Sequence, residues 1–346
     1  SSILYHFNVL HKYTVSDNES PPGTLIHVAE LPRLALNSVH LRFWLPQHPN
    51  TSSVPVPSPE IVIAWILSRT RKIRVGSGGV MLQHYSPYKV AENFNLLSAL
   101  APGRVDLGVG KAPGGLPLAT GALQEGRDSA NAADFSTRLK QLDDYLQTRE
   151  AADPENALLA TPIPAVSARR FLLGASTASA SLAAELGWDF VFAAHLNGDR
   201  QLLNTFTRYW QKHSQRPVRV AIQAIVSEDP DVAMRQAAEQ QLWQAELVNG
   251  QRVTLASQAQ AERFIRQSGS EAKSVTRRQA AIFAGSAQSV IGQLDALHRD
   301  TGISEFIIDI PVSDPAVRRE TLYLLAQAKG NIQPQKVPAE NIIRTA

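Results

Sequence analysis

The sequence predicts a closed (β/α)8 barrel, and three of its features do so. Eight short apolar runs recur along 346 residues, segments with helical spacing separate them, and several runs are continuously apolar. Continuous apolarity marks strands covered on both faces. Strand and helix in this rhythm specify βαβ units and therefore a parallel sheet.

In chain order the runs are ILYHFNVL (3–10), LRFWLP (41–46), IRVGSGGVML (73–82), VDLGVG (105–110), RFLLGAS (170–176), FVFAAHL (190–196), VRVAIQAIV (218–226) and EFIIDIPV (305–312). The first helix, SPEIVIAWILSRT, opens with the N-cap and first-turn pair Ser58 and Pro59 and spaces Ile61, Ile63, Ala64, Ile66 and Leu67 along one broad face. SPYKVAENFNLLSALAPG repeats the device with Ser86 and Pro87 and stops at Pro102-Gly103. TASASLAAELG and SAQSVIGQLDALHRDTG each end on the glycine a C-cap requires. The whole chain, 1–346, reads as one barrel domain. Two segments, approximately 112–169 and 227–280, exceed what a crossover needs and are expected as insertions at the C-terminal face of the strands. Trp188, Trp210 and Trp243 sit at helical or strand-end positions where core packing is the expected fate.

Hydrophobic residues make up 44% of the chain, enough for a sizeable core, and the formal net charge is +3. With no dense Lys/Arg block interleaved with aromatics, nucleic acid is not an expected partner. The chain has no cysteine, which removes disulfides, thiolate metal sites and cysteine nucleophiles. No window holds eighteen uncharged apolar residues, and no basic lead precedes an apolar run at the start. The expectation is a soluble, cytoplasmic protein with no membrane partner.

Three constellations could carry chemistry. VGSGGV (75–80) and GVGKAPGG (108–115) place glycines at strand ends without the G-x-G-x-x-G pattern of a dinucleotide fold. In a barrel those ends form the active face, so the glycines admit either a ligand or a closely packed backbone. Lys111 between them could meet an anion. In LLGASTASASLAAELG (172–187) a strand stops at Gly174, and Ser176, Thr177 and Ser179 crowd a helix start. Its backbone N–H groups and hydroxyls suit a phosphate, and suit equally an ordinary N-cap. Finally His48, His84 with Tyr85, and His195 with Asn197 follow successive strands. No zinc spacing and no G-x-S-x-G elbow accompany them, so no metal is expected.

The run RTRKIRVGSGGVMLQHYSPYKVAENFNLLSALAPGRVDLGVGKAPGG (69–115) resembles the bacterial luciferase-like family of flavin-dependent monooxygenases. The likeness continues through LLGASTASASLAAELGWDFVFAAHLN (172–197) and the block 283–326. The resemblance implies a TIM-like barrel holding FMN in its mouth, reduced flavin (FMNH2) supplied by a separate reductase, and O2 activated as a flavin C4a-peroxide that oxygenates a small organic substrate. It also implies a homodimer. F420-dependent hydride transfer on the same fold, or a catalytically silent flavin-binding protein, are the alternatives. By the same resemblance Gly78 and Gly79 form a non-prolyl cis peptide against the flavin ring. Lys111 stands near the flavin phosphate, and Gly174, Ser176, Thr177 and Ser179 cradle it. His48 matches a histidine of the family's EHH signature at the reactive edge, with Gln47, His84, Tyr85, His195 and Asn197 as further flavin-edge or substrate candidates. Gln47 replaces the signature's carboxylate and Pro49 its second histidine, and residues 11–40 lack the expected alanine-rich first helix.

Overall fold

The computed structural model describes residues 5–12, 42–48, 56–112, 115–128, 130–193 and 200–329. Eight parallel strands close on themselves: β1 (His6–Leu10), β2 (Arg42–Leu45), β3 (Arg74–Ser77), β5 (Val105–Gly110), β6 (Arg169–Gly174), β7 (Asp189–Ala193), β8 (Arg219–Val226) and β13 (Glu305–Asp309). The ring shuts where β13 pairs with both β1 and β8. A two-residue strand β4 (Val80–Met81) continues β3 along β5. All eight apolar runs of the sequence therefore contribute a barrel strand.

The outer layer is helical: α1 (Pro59–Arg69), α2 (Pro87–Leu100), α3 (Pro117–Leu123), α4 (Phe135–Gln147), α5 (Thr177–Leu186), α6 (Arg200–His213), α7 (Pro230–Glu239), α8 (Gln258–Ser268), α9 (Ala287–Thr301) and α10 (Pro315–Ala328). Ser86 caps α2 through Lys89 N–H at 3.4 Å, whereas Ser58 makes no side-chain capping bond to α1. On α1 the buried face is Ile63, Ile66 and Leu67, and Ile61 points to solvent at 70% exposure, narrowing the expected apolar face. Gly187 and Gly302 end α5 and α9 with φ of 70° and 74°, the left-handed values a C-cap glycine supplies. Trp188 and Trp210 are buried as core; Trp243 packs half-buried in a smaller cluster.

That cluster is built mainly from residues 227–280, whose sequence predicts an insertion without specifying a sheet. Here β9 (Gln241–Leu247), β10 (Arg252–Leu255) and β11 (Ala272–Gln279) form an antiparallel sheet, while β12 (Ile282–Gly285) pairs parallel to β8. α8 buries Ala261 and Phe264 against Ala245 and Leu247, and Leu116 joins the same cluster. Gln267 on α8 accepts from Leu118 N–H at 3.1 Å, tying this unit to α3 at the C-terminal end of β5. The hairpin signal was present: Asn249-Gly250 turns β9 into β10, with Gly250 at φ 89°.

Inside the barrel, alternation sorts side chains into layers. The lowest layer is charged. Arg42 and Arg74 both pair with Asp106, at 2.7 and 2.8 Å, and Trp44 Nε1 donates to the same carboxylate at 3.0 Å. Arg219 bridges Asp189 and Glu305. Above lies an apolar plug of Leu10, Trp44, Phe171, Val191, Ala221 and Ile307, with the guanidinium carbons of Arg42, Arg219 and Arg169 at 5.0, 5.3 and 5.7 Å from the centre of the Phe171 ring. One step further along the strands, the inward positions open on the mouth.

Candidate active site in the barrel mouth

Two walls of the mouth differ in chemistry. On β3, β4 and β5 the wall is backbone. The ladder runs Gly76 to Asp106 and resumes at Val80 to Val109, so the β3–β4 side carries one extra residue. This is a bulge. Within it the Gly78–Gly79 peptide is cis, and Ser77 Oγ bridges the gap by donating to Gly108 O at 2.8 Å and accepting from Gly108 N–H at 3.1 Å. A Cβ on Gly76 would lie 2.4 Å from Asp106 O, one on Gly79 2.9 Å from the Val109 carbonyl carbon, and one on Gly78 2.8 Å from Leu10 Cδ1. Close backbone packing thus accounts for Gly76 and Gly79. Gly78 points inward above the plug, and a Cβ on Gly110 would meet only Met81, at 3.7 Å.

The opposite wall is polar. By alternation from Leu10, Ala221 and Ile307, the residues Lys12, Gln223 and Asp309 face inward. Lys12 Nζ lies 3.3 Å from Asp309 Oδ2, and Gln223 Nε2 donates to that oxygen at 3.1 Å. In the closed eight-strand ring β3 stands opposite β8, and β5 opposite β13.

Between the walls, β6 ends at Gly174 and α5 begins. A Cβ on Gly174 would approach Ser179 Cβ to 2.9 Å, so glycine lets the helix start close to the strand end. Ser176 caps α5, accepting from Ser179 N–H at 3.1 Å. The N–H groups of Thr177 and Ala178 have no helical carbonyl to reach, and Ser176, Thr177 and Ala178 are exposed. Gly110 pairs with Leu173 across the neighbouring ladder, which sets exposed Lys111 at the same rim.

Near the end of β2, buried Gln47 accepts from Met81 N–H at 2.9 Å through Oε1 and donates through Nε2 to Tyr85 Oη. A backbone N–H can only donate, so this amide orientation is fixed. Tyr85 Oη therefore accepts from Gln47, and its own proton points elsewhere. Burial pushes the Tyr85 phenol up, and the charge of Glu60 adds to it against the Gln47 bond, keeping it protonated.

Comparison with known proteins decides the family. The luciferase-like monooxygenase profile matches residues 6–305. The chain belongs to the luciferase-like monooxygenase family. The N-acetyl-S-alkylcysteine monooxygenase of Bacillus subtilis (strain 168) is 34% identical over 331 residues, 94% of this chain and 98% of that protein. The crystal structure of apo-MsnO8 superposes with a TM-score of 0.73 at 28% identity, covering 96% of this chain and 100% of that one. The oxygenating constituent of 3,6-diketocamphane monooxygenase from Pseudomonas putida, a type II Baeyer-Villiger monooxygenase in complex with FMN, shares the fold at TM-score 0.64 and 16% identity, covering 96% and 99% of the two chains.

This luciferase-like barrel brings Gly78, Gly79, Lys111, Gly174, Ser176, Thr177, Ser179, Gln47 and His48 to the C-terminal ends of β2 to β6. His48 is half-buried, its N–H donating to Val56 O at 3.0 Å. His84 is buried on a short helical turn, Leu82–His84, with Nδ1 3.0 Å from Gln124 Nε2 beside α3. His195, Asn197 and Pro49 lie outside the described residues, as do residues 13–40 of the atypical N-terminal segment. No helix among the described residues is long and apolar enough to cross a membrane. The sequence reading missed Lys12, Gln223 and Asp309, each two residues beyond an inward apolar position.

Loss of the Gln47 bonds has a measurable cost. Gln47→Leu leaves a buried N–H and a hydroxyl without their partner and is expected to lower stability by about 1–3 kcal/mol in chemical denaturation. An unchanged midpoint would show that water replaces both bonds.

Proposed function

We propose that the chain is a monooxygenase that uses reduced FMN, delivered by a separate reductase, and O2 to oxygenate a small organic substrate. The observation that carries this reading is the backbone-lined wall at Gly78 and Gly110 beside an exposed helix start at Ser176–Ser179. A flat ring and a phosphate fit these two features together: glycines let a ring lie against the peptide, and unpaired N–H groups with hydroxyls suit an anion. Reduced FMN, when bound, supplies the electrons for O2 activation. The chain's own residues do the rest. Ser176, Thr177 and the N-terminus of α5 would hold the phosphate with Lys111 at the rim, Gly78–Gly79 would support the ring, and the apolar plug beneath would keep water from the floor. His48, just beyond β2, would serve the bound flavin as a proton donor or acceptor, and Tyr85 keeps the loop after β4 joined to Gln47.

Anaerobic titration with FMNH2, followed by O2 uptake with a flavin reductase and N-acetyl-S-methylcysteine, tests the reading. The choice of substrate follows the relative named above. Tight FMNH2 binding with substrate-dependent product is expected. Binding of F420 alone would replace the reading with hydride transfer, and flavin binding without substrate oxidation would make the protein catalytically silent.

The phosphate seat has its own test. Asp caps helices as well as Ser, so Ser176→Asp should fold normally while its charge repels a phosphate. FMN affinity is expected to fall by about tenfold or more, one unit charge at close range being worth over 1 kcal/mol, with riboflavin affinity little changed. Equal losses for both flavins would place the phosphate elsewhere.

The homodimer belongs to the same proposal. Ile61 and Trp65 on α1 and Leu96 and Leu100 on α2 are 70%, 46%, 49% and 70% exposed, four large apolar side chains on adjacent helices. Trp65→Glu with Leu100→Glu is expected to give a monomer in sedimentation; an unchanged species would put any dimer contact on another face.

A further inference from the structure

The wall opposite the glycines has a composition that flavin binding does not call for. Lys12 is 30% exposed and Asp309 fully buried, and their ion pair sits where β1, β8 and β13 deliver side chains into the mouth. Asp309 holds the ammonium from one side, and Gln223 steadies that carboxylate by donating to the same oxygen. An ammonium has three donors, and among the described residues one is directed at Asp309.

The surroundings leave this wall cationic. Arg318, buried at the start of α10, donates to the Lys12 carbonyl and to Val312 O, fixing the backbone from behind. His11, also buried, is held well below its usual value by burial and by the Arg318 charge against the pull of Asp309, and so is neutral. Lys12 and Arg318 thus bring two cations to this wall, of which Lys12 pairs with the Asp309 carboxylate. Among the described residues of β1, β8 and β13, Ala221 and Ile307 lie below and Lys12 is the cation that reaches the mouth level.

Geometry places that anion. Gly78, in the bulge that follows β3, and Gly110 on β5 lie across the ring from Gln223 and Asp309. A ring lying on the glycine wall leaves the space toward Lys12 for the second reactant. We propose that Lys12, seated by Asp309 and Gln223, binds a carboxylate of the organic substrate and thereby sets both substrate class and orientation. Small carboxylic acids are then the substrates, bound by their acid end at β1 and β13 with the oxidisable group directed at the glycine wall. Lys12 is a specificity residue, and Asp309 and Gln223 are positioning residues that act through it. The inference rests on the flavin reading for the location of the ring but on the polar wall for the carboxylate.

The test uses the full chain saturated anaerobically with FMNH2, and calorimetric binding of N-acetyl-S-methylcysteine and of its uncharged methyl ester. A charge-assisted hydrogen bond predicts that the wild type binds the acid about tenfold or more tightly than the ester. Lys12→Met should erase that preference with ester and FMNH2 binding unchanged, and Lys12→Arg should keep most of it. Asp309→Asn and Gln223→Leu should weaken acid binding while sparing the ester. In turnover, Lys12→Met is expected to raise KM for the acid far more than it lowers kcat. Equal affinity for acid and ester in the wild type would overturn the proposal. So would Lys12→Met lowering FMNH2 affinity as much as acid affinity, which would assign the ammonium to the anionic flavin. If wild-type FMNH2 binding itself fails, the flavin reading falls; the acid-over-ester preference, measured without flavin, then decides the Lys12 proposal by itself.

Discussion

Gly108→Ala is expected to abolish folding of the barrel. A Cβ at this position would lie 2.1 Å from Ser77 O and 3.1 Å from Leu173 Cδ1. The first of these is a backbone atom of the bulge, and it cannot retreat, because Ser77 Oγ is held by both the N–H and the carbonyl of Gly108. Relief requires β3 and β5 to separate, breaking that bridge and the ladder beside it. Overpacking alone costs about 1–3 kcal/mol, and lost buried hydrogen bonds add about 1–3 kcal/mol each, together comparable with the whole stability of a domain. Gly76→Ala should behave similarly, with Asp106 O at 2.4 Å. Gly110→Ala is the control, since its Cβ meets nothing closer than 3.7 Å. The check is soluble yield and thermal unfolding by circular dichroism: loss for Gly108 and Gly76, a normal transition for Gly110. A cooperative Gly108→Ala protein would mean that the bulge is plastic.

Asp106→Asn is the second large effect. Asp106 is fully buried and serves Arg42, Arg74 and the Trp44 indole at once. Burial disfavours its charge, yet the two guanidinium groups and the bonds from Arg42 and Trp44 hold its carboxyl below the usual value. An amide leaves Arg42, only 7% exposed, charged and without its counterion. Breaking one partner of a buried pair costs about 3–5 kcal/mol. The pH dependence follows from the sign. The folded value is depressed, so the stabilisation is present above the unfolded carboxylate value of about 3.9 and disappears as pH falls through the lower folded value. Denaturant midpoints should therefore drop strongly for Asp106→Asn at neutral pH, and the gap to wild type should narrow in acid. Equal stability at neutral pH would show that solvent reaches Arg42.

The barrel was legible in the sequence because its strands are buried on both faces and flanked by capped helices. Each apolar run from ILYHFNVL to EFIIDIPV became a strand of the ring. The small sheet was not, because QLWQAEL and AKSVTRRQ are half polar and β11 is exposed throughout; only Asn249-Gly250 announced it. The glycines of VGSGGV and GVGKAPGG admitted packing or a ligand, and the structure divides those it describes at the strand ends: Gly76, Gly79 and Gly108 serve backbone contact, whereas Gly78 and Gly110 leave backbone facing the mouth. The charged layer was visible in principle, since RFWL, RRFLLG, DFVFA, RVAIQAIV and EFIID each open on a charge. What no single strand shows is that these charges meet at one level of a closed ring. Lys12, Gln223 and Asp309 escaped notice for the same reason. They are separated along the chain by up to 297 residues and become one group only when β13 closes on β1.

The flavin seat is tested most directly by a crystal structure of the protein with FMN. The isoalloxazine is expected against the Gly78–Gly79 peptide, with the phosphate at Ser176, Thr177 and the N-terminus of α5. Flavin bound elsewhere, or a mouth left empty at saturating FMN, would contradict the account.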